Sequence, residues 1–227
     1  MSKSENMLKT TRSFSPNAKK RREEALHAKR SKIMEAALLL FSKNGVSGTS
    51  VEQIAELANV SKSNLLYYFK SKERLYLDVI THLLEVWLTP LQSFCVEQDP
   101  IETLSDYIRV KLEMSRDNPA ESKLFCMEVV QGAPVLIQEL GTPVKALLEA
   151  KSAVINQWVE AGKLNHVEPY HLIFSIWAVT QHYADFSVQI KAVTGDDLSN
   201  PAFFESTLKS IKGILLGGLI PLATPSN

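Results

Sequence analysis

The chain has 227 residues, 45% of them hydrophobic, enough to bury a core as one large domain or as a small one joined to a larger one. With only 9 Gly and 10 Pro it does not read as loop-rich or all-β, and its longest apolar run, "GILLGGLIPLA", is about half the roughly 20 residues that span a bilayer. Formal net charge is +0, yet residues 1–80 carry 15 Lys/Arg against 8 Asp/Glu and residues 81–227 carry 10 against 17, which points to a basic module for a polyanion joined to an acidic module with another task.

Most of the basic excess lies in the first 30 residues, which are polar and lack the apolar run of a secretory signal. Cys95 and Cys126 lie far apart and form no CxxC, so neither a disulfide framework nor a zinc site is expected. They read as small buried hydrophobes in a reduced, cytoplasmic protein.

Residues 1–27, with the basic run Lys19 to Arg22, read as a mobile arm that joins a helix from about Glu23. Ile33, Ala36, Ala37, Leu40 and Phe41 recur at spacings of three and four on that helix, and Gly45 after Asn44 is a stop. Thr49 or Ser50 can cap a short helix over Val51–Leu57 that turns Ile54, Ala55 and Ala58 inward. A brief link through Asn59 and Val60 leads to Ser61, the cap of a second short helix running to Phe69. Ser71 then caps a long helix that connects this unit to the rest.

Two short helices joined by a tight turn, the second polar at its front, make a helix-turn-helix. Lys62 and Asn64 suit base edges, Lys for guanine acceptors and Asn for adenine, while Ser61, Tyr67, Tyr68 and Lys72 suit phosphates. Leu65, Leu66 and Phe69 form the buried side, and Lys19–Arg22, Lys29 and Arg30 add nonspecific attraction. An ordinary surface helical hairpin with a charged face has the same spacing.

Beyond Pro90 the apolar periodicity predicts helices near 100–117, 120–131, 143–162, 168–191 and 201–220, separated by "DP", "DNP", "GAP", "GTP" and "TGDDLSNP". No strand alternation interrupts them, so the fold class is all-α with a helical bundle behind the N-terminal unit.

Residues 33–76 resemble the signature "ILxAALxLFxxxGxxGTSVxxIAxxAxVSKxxLYYYFxxKExLY" of the TetR family of bacterial repressors, with Gly45, Thr49, Ile54, Ala55, Val60, Tyr68, Phe69 and Lys72 in their places. The resemblance implies an N-terminal three-helix DNA-binding domain over residues 28–75 and a ligand-binding and dimerisation domain over 76–227. It implies a homodimer on double-stranded operator DNA, and DNA contacts from Thr49, Lys62, Ser63, Tyr67, Tyr68 and Lys72. It implies no membrane partner and no cofactor beyond an effector.

"YIRVKLEMSRDNPAESKLFCMEVVQGAP", "KSAVINQWVEAGKL" and "HLIFSIWAVTQHYADFSVQIKAVTG" further resemble a pyrimidine-utilisation branch of that family that responds to uracil and thymine. By that resemblance Trp87, Trp177 and Gln181 are pocket residues, and Phe94, Leu124, Cys126 and Met127 are candidates for its wall. A flat ring with an amide-like edge needs an aromatic face and a pairing amide, which Trp177 and Gln181, four apart on one helical face, can supply. By residue type alone, a Trp on a bundle helix serves equally as core and a Gln as surface. Dimerisation is expected through the last two helices, about 168–191 and 201–220, where Gly213, Gly217 and Gly218 permit close approach.

An enzyme is not expected. GxSxG, HExxH, a Gly-rich phosphate loop and zinc spacing are missing from the sequence. His182 and Asp185, three apart, lack a nucleophile nearby and read as a satisfied buried histidine, while His166 and His171 beside Glu168 read as exposed loop residues rather than metal ligands. A sensor of a drug or lipid metabolite remains a further reading, although its pocket would be almost purely apolar.

Overall fold

The computed structural model describes residues 16–221, and every described element is helical. The first 15 residues of the basic arm lie outside the described residues. Helix α1 (Pro16–Asn44) begins earlier than Glu23, because Lys, Arg, Glu and Ala are good helix formers and Pro16 stands at its first position. It ends at Gly45, whose φ of 71° is the left-handed conformation of a glycine stop.

Helix α2 (Val51–Leu57) starts from Ser50, with a reciprocal capping box to Gln53. Asn59 turns the chain at φ 54°, a value Asn tolerates, and α3 (Lys62–Tyr68) starts from the cap Ser61. Helix α4 (Lys72–Gln92) starts from the cap Ser71 and runs on through Pro90. Ile33, Ala37 and Phe41 of α1 meet Ile54 and Ala55 of α2, Leu65 of α3 and Leu75 of α4 in one buried cluster. Burying each larger side chain contributes about 1.5–3 kcal/mol, which offsets the marginal stability of seven-residue helices.

The body comprises α5 (Pro100–Asp117), α6 (Pro119–Val130), the single turn α7 (Ile137–Glu139), α8 (Lys145–Glu160), α9 (Pro169–Asp185), α10 (Ser187–Thr194) and α11 (Pro201–Leu216). Leu104, Ile108 and Leu112 place α5 at the centre, against Ile173 and Ile176 of α9 and Leu208 and Ile211 of α11. Trp158 of α8 is fully buried and donates its indole N–H to the Val96 carbonyl at 3.1 Å.

Two sequence boundaries differ. The "GTP" segment does not break the chain but forms a π-helical turn, Leu140–Val144, that runs straight into α8. The helix expected over 168–191 is split at Phe186, whose N–H caps α9 before α10 begins and ends on Gly195 at φ 78°.

Candidate DNA-binding surface and effector site

Helix α3 projects its N-terminal turn into solvent because its other face is spent on Leu65 and Phe69. Ser61, Lys62 and Ser63 are exposed, Asn64 is half-buried, and Tyr67 is 75% exposed, beside Tyr68 in an edge-to-face pair at 5.5 Å. The Ser61 hydroxyl oxygen accepts from the Asn64 N–H at 3.1 Å and keeps its own proton to donate. Lys62 Nζ donates to Glu52 Oε1 of α2 at 2.5 Å, and this bond holds the Glu52 carboxyl below the usual carboxylate range. The base-edge candidate therefore has an internal partner on α2.

Thr49 and Lys72 are both engaged with backbone carbonyls at the corner between α1 and α2. Thr49 is 2% exposed, and its hydroxyl donates to the carbonyls of Gly45 at 2.8 Å and Leu40 at 3.2 Å. These bonds turn the Thr49 hydroxyl toward the end of α1. Lys72 Nζ donates to the carbonyls of Val46 and Thr49 at 2.7 and 2.9 Å, so one ammonium proton remains for a phosphate. Arg30 is likewise pinned rather than free: its guanidinium lies 4.6 Å over the Phe69 ring and bonds Asp78 at 2.6 Å, locking α1 to α3 and α4.

The head is tied to the body through Tyr76 of α4. Its ring meets Phe41 edge-on at 5.3 Å, and its hydroxyl donates to Glu128 Oε2 of α6 at 2.7 Å. Glu128 is 3% exposed and also accepts from the backbone N–H groups of Val135 at 2.7 Å and Leu136 at 3.2 Å. These three donors satisfy a carboxylate that would otherwise be costly to bury. Burial, then the Glu128 bond, raises the Tyr76 phenol well above its ordinary value.

Trp87 of α4 and Trp177 of α9 each meet α5, at Lys111 and at Tyr107 respectively. Trp177 donates its indole N–H to the Tyr107 hydroxyl at 2.6 Å, and Gln181 is half-buried one turn along α9. Tyr107 is buried, which raises its phenol, and it meets Phe94 edge-on at 5.2 Å. Trp87 is buried on α4, and its indole nitrogen has no hydrogen-bond partner among the described residues. Four residues after Tyr107 on α5 stands Lys111, whose Nζ lies 4.0 Å from the Trp87 ring centre. Sequence reading missed Lys111, because a lysine on a helix ordinarily reads as a solvated face.

The remaining wall candidates diverge. Phe94 and Tyr107 line a cleft of about 580 Å³ between α4 and α5, whereas Leu124 and Met127 line another of about 380 Å³ at the junction with the head. Cys126 is half-buried near Asp185, whose carboxylate accepts from the Ser122 hydroxyl at 2.6 Å. Cys95 is exposed, contrary to the buried-hydrophobe reading. His182 is exposed as well and stacks on Phe186 at 4.8 Å.

A helix-turn-helix with an exposed polar recognition helix, seated on a helical body, is the build of a DNA-binding transcriptional regulator. Residues 33–79 match the signature described as bacterial regulatory proteins, tetR family, and residues 80–222 match that of the YcdC-like protein C-terminal region. The chain belongs to the TetR family of transcriptional regulators. It is 51% identical over 201 residues to the HTH-type transcriptional regulator RutR of Escherichia coli strain K12, covering 88% of this chain and 95% of that protein. To the HTH-type transcriptional regulator TcmR of Streptomyces glaucescens it is 31% identical over 61% of this chain and 63% of that protein. Among solved structures, a TetR-family transcriptional regulator from Haemophilus influenzae superposes with TM-score 0.62 over 86% of this chain and 98% of that one, at 17% identity. A TetR-like regulator from Rhodococcus sp. RHA1 does so with TM-score 0.60 over 84% and 94%, also at 17% identity, and these two likenesses concern the fold.

Proposed function

We propose that the chain is a cytoplasmic homodimeric repressor of pyrimidine and nitrogen utilisation genes, released from its operator by uracil or thymine. The observation that carries this reading is the 51% identity to RutR across both the DNA-binding and the effector halves. Exposed apolar side chains on α9 to α11, among them Phe174, Phe186, Val188, Val193 and Ile214, support dimerisation through that face, since such surface on a monomer is costly. The dimer would present two α3 helices to successive major grooves of a pseudopalindrome.

A small flat ligand is supported by two tryptophans that meet α5 one turn apart, Trp87 at Lys111 and Trp177 at Tyr107, with Gln181 one turn along α9 from Trp177. Helix α4 carries Trp87 at the effector end and Tyr76 at the head end, eleven residues or about 16 Å apart. A ligand that shifts Trp87 therefore moves the helix on which the head is mounted. Near-complete release requires about 5 kcal/mol of differential affinity between the two states.

DNase footprinting of the DNA upstream of the protein's own gene tests the reading. Protection of two half-sites one helical turn apart, lost with uracil and kept with adenine, is the expected pattern. A footprint indifferent to uracil and thymine would refute the effector, and absence of any protection at low salt would refute the operator-binding role.

A further inference from the structure

Lys111 is 2% exposed in the centre of the body, and no carboxylate pairs with it among the described residues. Its one hydrogen bond, to the Trp87 carbonyl at 3.5 Å, is at the limit of a useful contact, and its other contact is the Trp87 ring face. Beside it the Trp87 indole N–H is buried without an acceptor. One turn back, Tyr107 accepts from Trp177 and keeps its phenolic proton to donate. Among the described residues the Lys111 amine thus has one acceptor at the limit of reach and the Trp87 indole N–H has none, an arrangement that lowers stability unless something brings oxygen to it.

We propose that Lys111, together with the Trp87 indole N–H, is an effector-contacting group that requires a carbonyl oxygen on the facing edge of the ligand, so the site takes flat dicarbonyl rings and rejects their amino counterparts. This rests on the effector reading given above. A carbonyl oxygen of uracil or thymine satisfies a donor that is otherwise stranded. Cytosine presents an amine at one of those positions, which sets a donor against the Trp87 indole N–H and against the protonated form of Lys111 and leaves them unpaired, a larger cost than a lost methyl contact. Burial also holds the lysine well below its ordinary value, so removing it should relieve the fold rather than injure it. A lysine kept only for packing on Trp87 would behave in the opposite way.

Titration calorimetry of the full chain with uracil, cytosine and orotate, on the wild type, Lys111→Met and Trp87→Phe, separates these cases when paired with thermal melts. Wild type should bind uracil at least about 100-fold more tightly than cytosine. Lys111→Met should lose roughly 30-fold for uracil, narrow the uracil-to-cytosine ratio and melt at an equal or higher temperature. Trp87→Phe should lose roughly 10-fold for uracil. Uracil affinity unchanged in Lys111→Met overturns the inference and leaves the effector reading standing. So does a loss that comes with a lower melting temperature and an unchanged uracil-to-cytosine ratio. Wild type that binds orotate but not uracil, through Lys111, overturns the dicarbonyl class in favour of a carboxylate ligand. Wild type that binds none of the three overturns the effector reading and this inference with it.

Discussion

Thr49 and Lys72 hold the corner between α1 and α2, the threonine hydroxyl donating to the Gly45 carbonyl and the lysine to the carbonyls of Val46 and Thr49. Thr49→Val should therefore destabilise the head by about 1–3 kcal/mol in chemical denaturation, without changing the salt slope of DNA binding. Lys62 stands in the opposite position, exposed on the first turn of α3 and paired with Glu52. Lys62→Ala should weaken operator binding by about 1–3 kcal/mol and relax the preference for one base pair, seen by competition against operator variants. Lys111 gives a pH signature. Burial brings it to about 7 from an ordinary value of 10.5, so between those values the unfolded chain binds the extra proton. Stability on its account is lowest at and below pH 7 and rises with pH across that window. Melts of wild type and Lys111→Met should draw together as the pH is raised from 6 to 9.5, whereas parallel curves would contradict a buried, titrating lysine.

At the scale of elements, α4 is the shaft between the two sites. Its Tyr76–Glu128 bond joins the head to α6 and to the backbone at Val135 and Leu136. Tyr76→Phe removes one of three donors from a buried carboxylate, so a loss of about 1–2 kcal/mol in stability is expected. Uracil affinity should stay near wild type while the ratio of DNA affinities without and with uracil shrinks, because the shaft is less firmly tied to the body. The short helices were legible because their signals are local: Ser50, Ser61 and Ser71 each cap within three residues of themselves. Glu128 and Lys111 were not, since their meaning depends on Tyr76, 52 residues away, and Trp87, 24 residues away. The bonds of the Thr49 hydroxyl to Leu40 and Gly45 were not legible for the same reason. The Phe186 break was hidden by continuous apolar periodicity on both sides of it.

For the molecule as a whole, a net charge of +0 divides into a basic DNA-facing part and an acidic body. That division lets the protein approach a polyanion head first, and its attraction should fall steeply with salt. If the exposed apolar residues of α9 to α11 form the proposed dimer interface, dimerisation is part of DNA binding, because two half-sites are needed for tight binding. Ile214→Glu, at a residue 79% exposed, should yield a folded monomer by sedimentation, with operator affinity reduced by more than tenfold. An unaltered dimer would move the interface elsewhere.

The most direct measurement is fluorescence anisotropy of the labelled operator duplex bound to the full chain, at fixed salt, titrated with uracil and separately with adenine. The account predicts that uracil returns the anisotropy to that of free DNA while adenine leaves it unchanged. Retention of the complex at saturating uracil and thymine would contradict it.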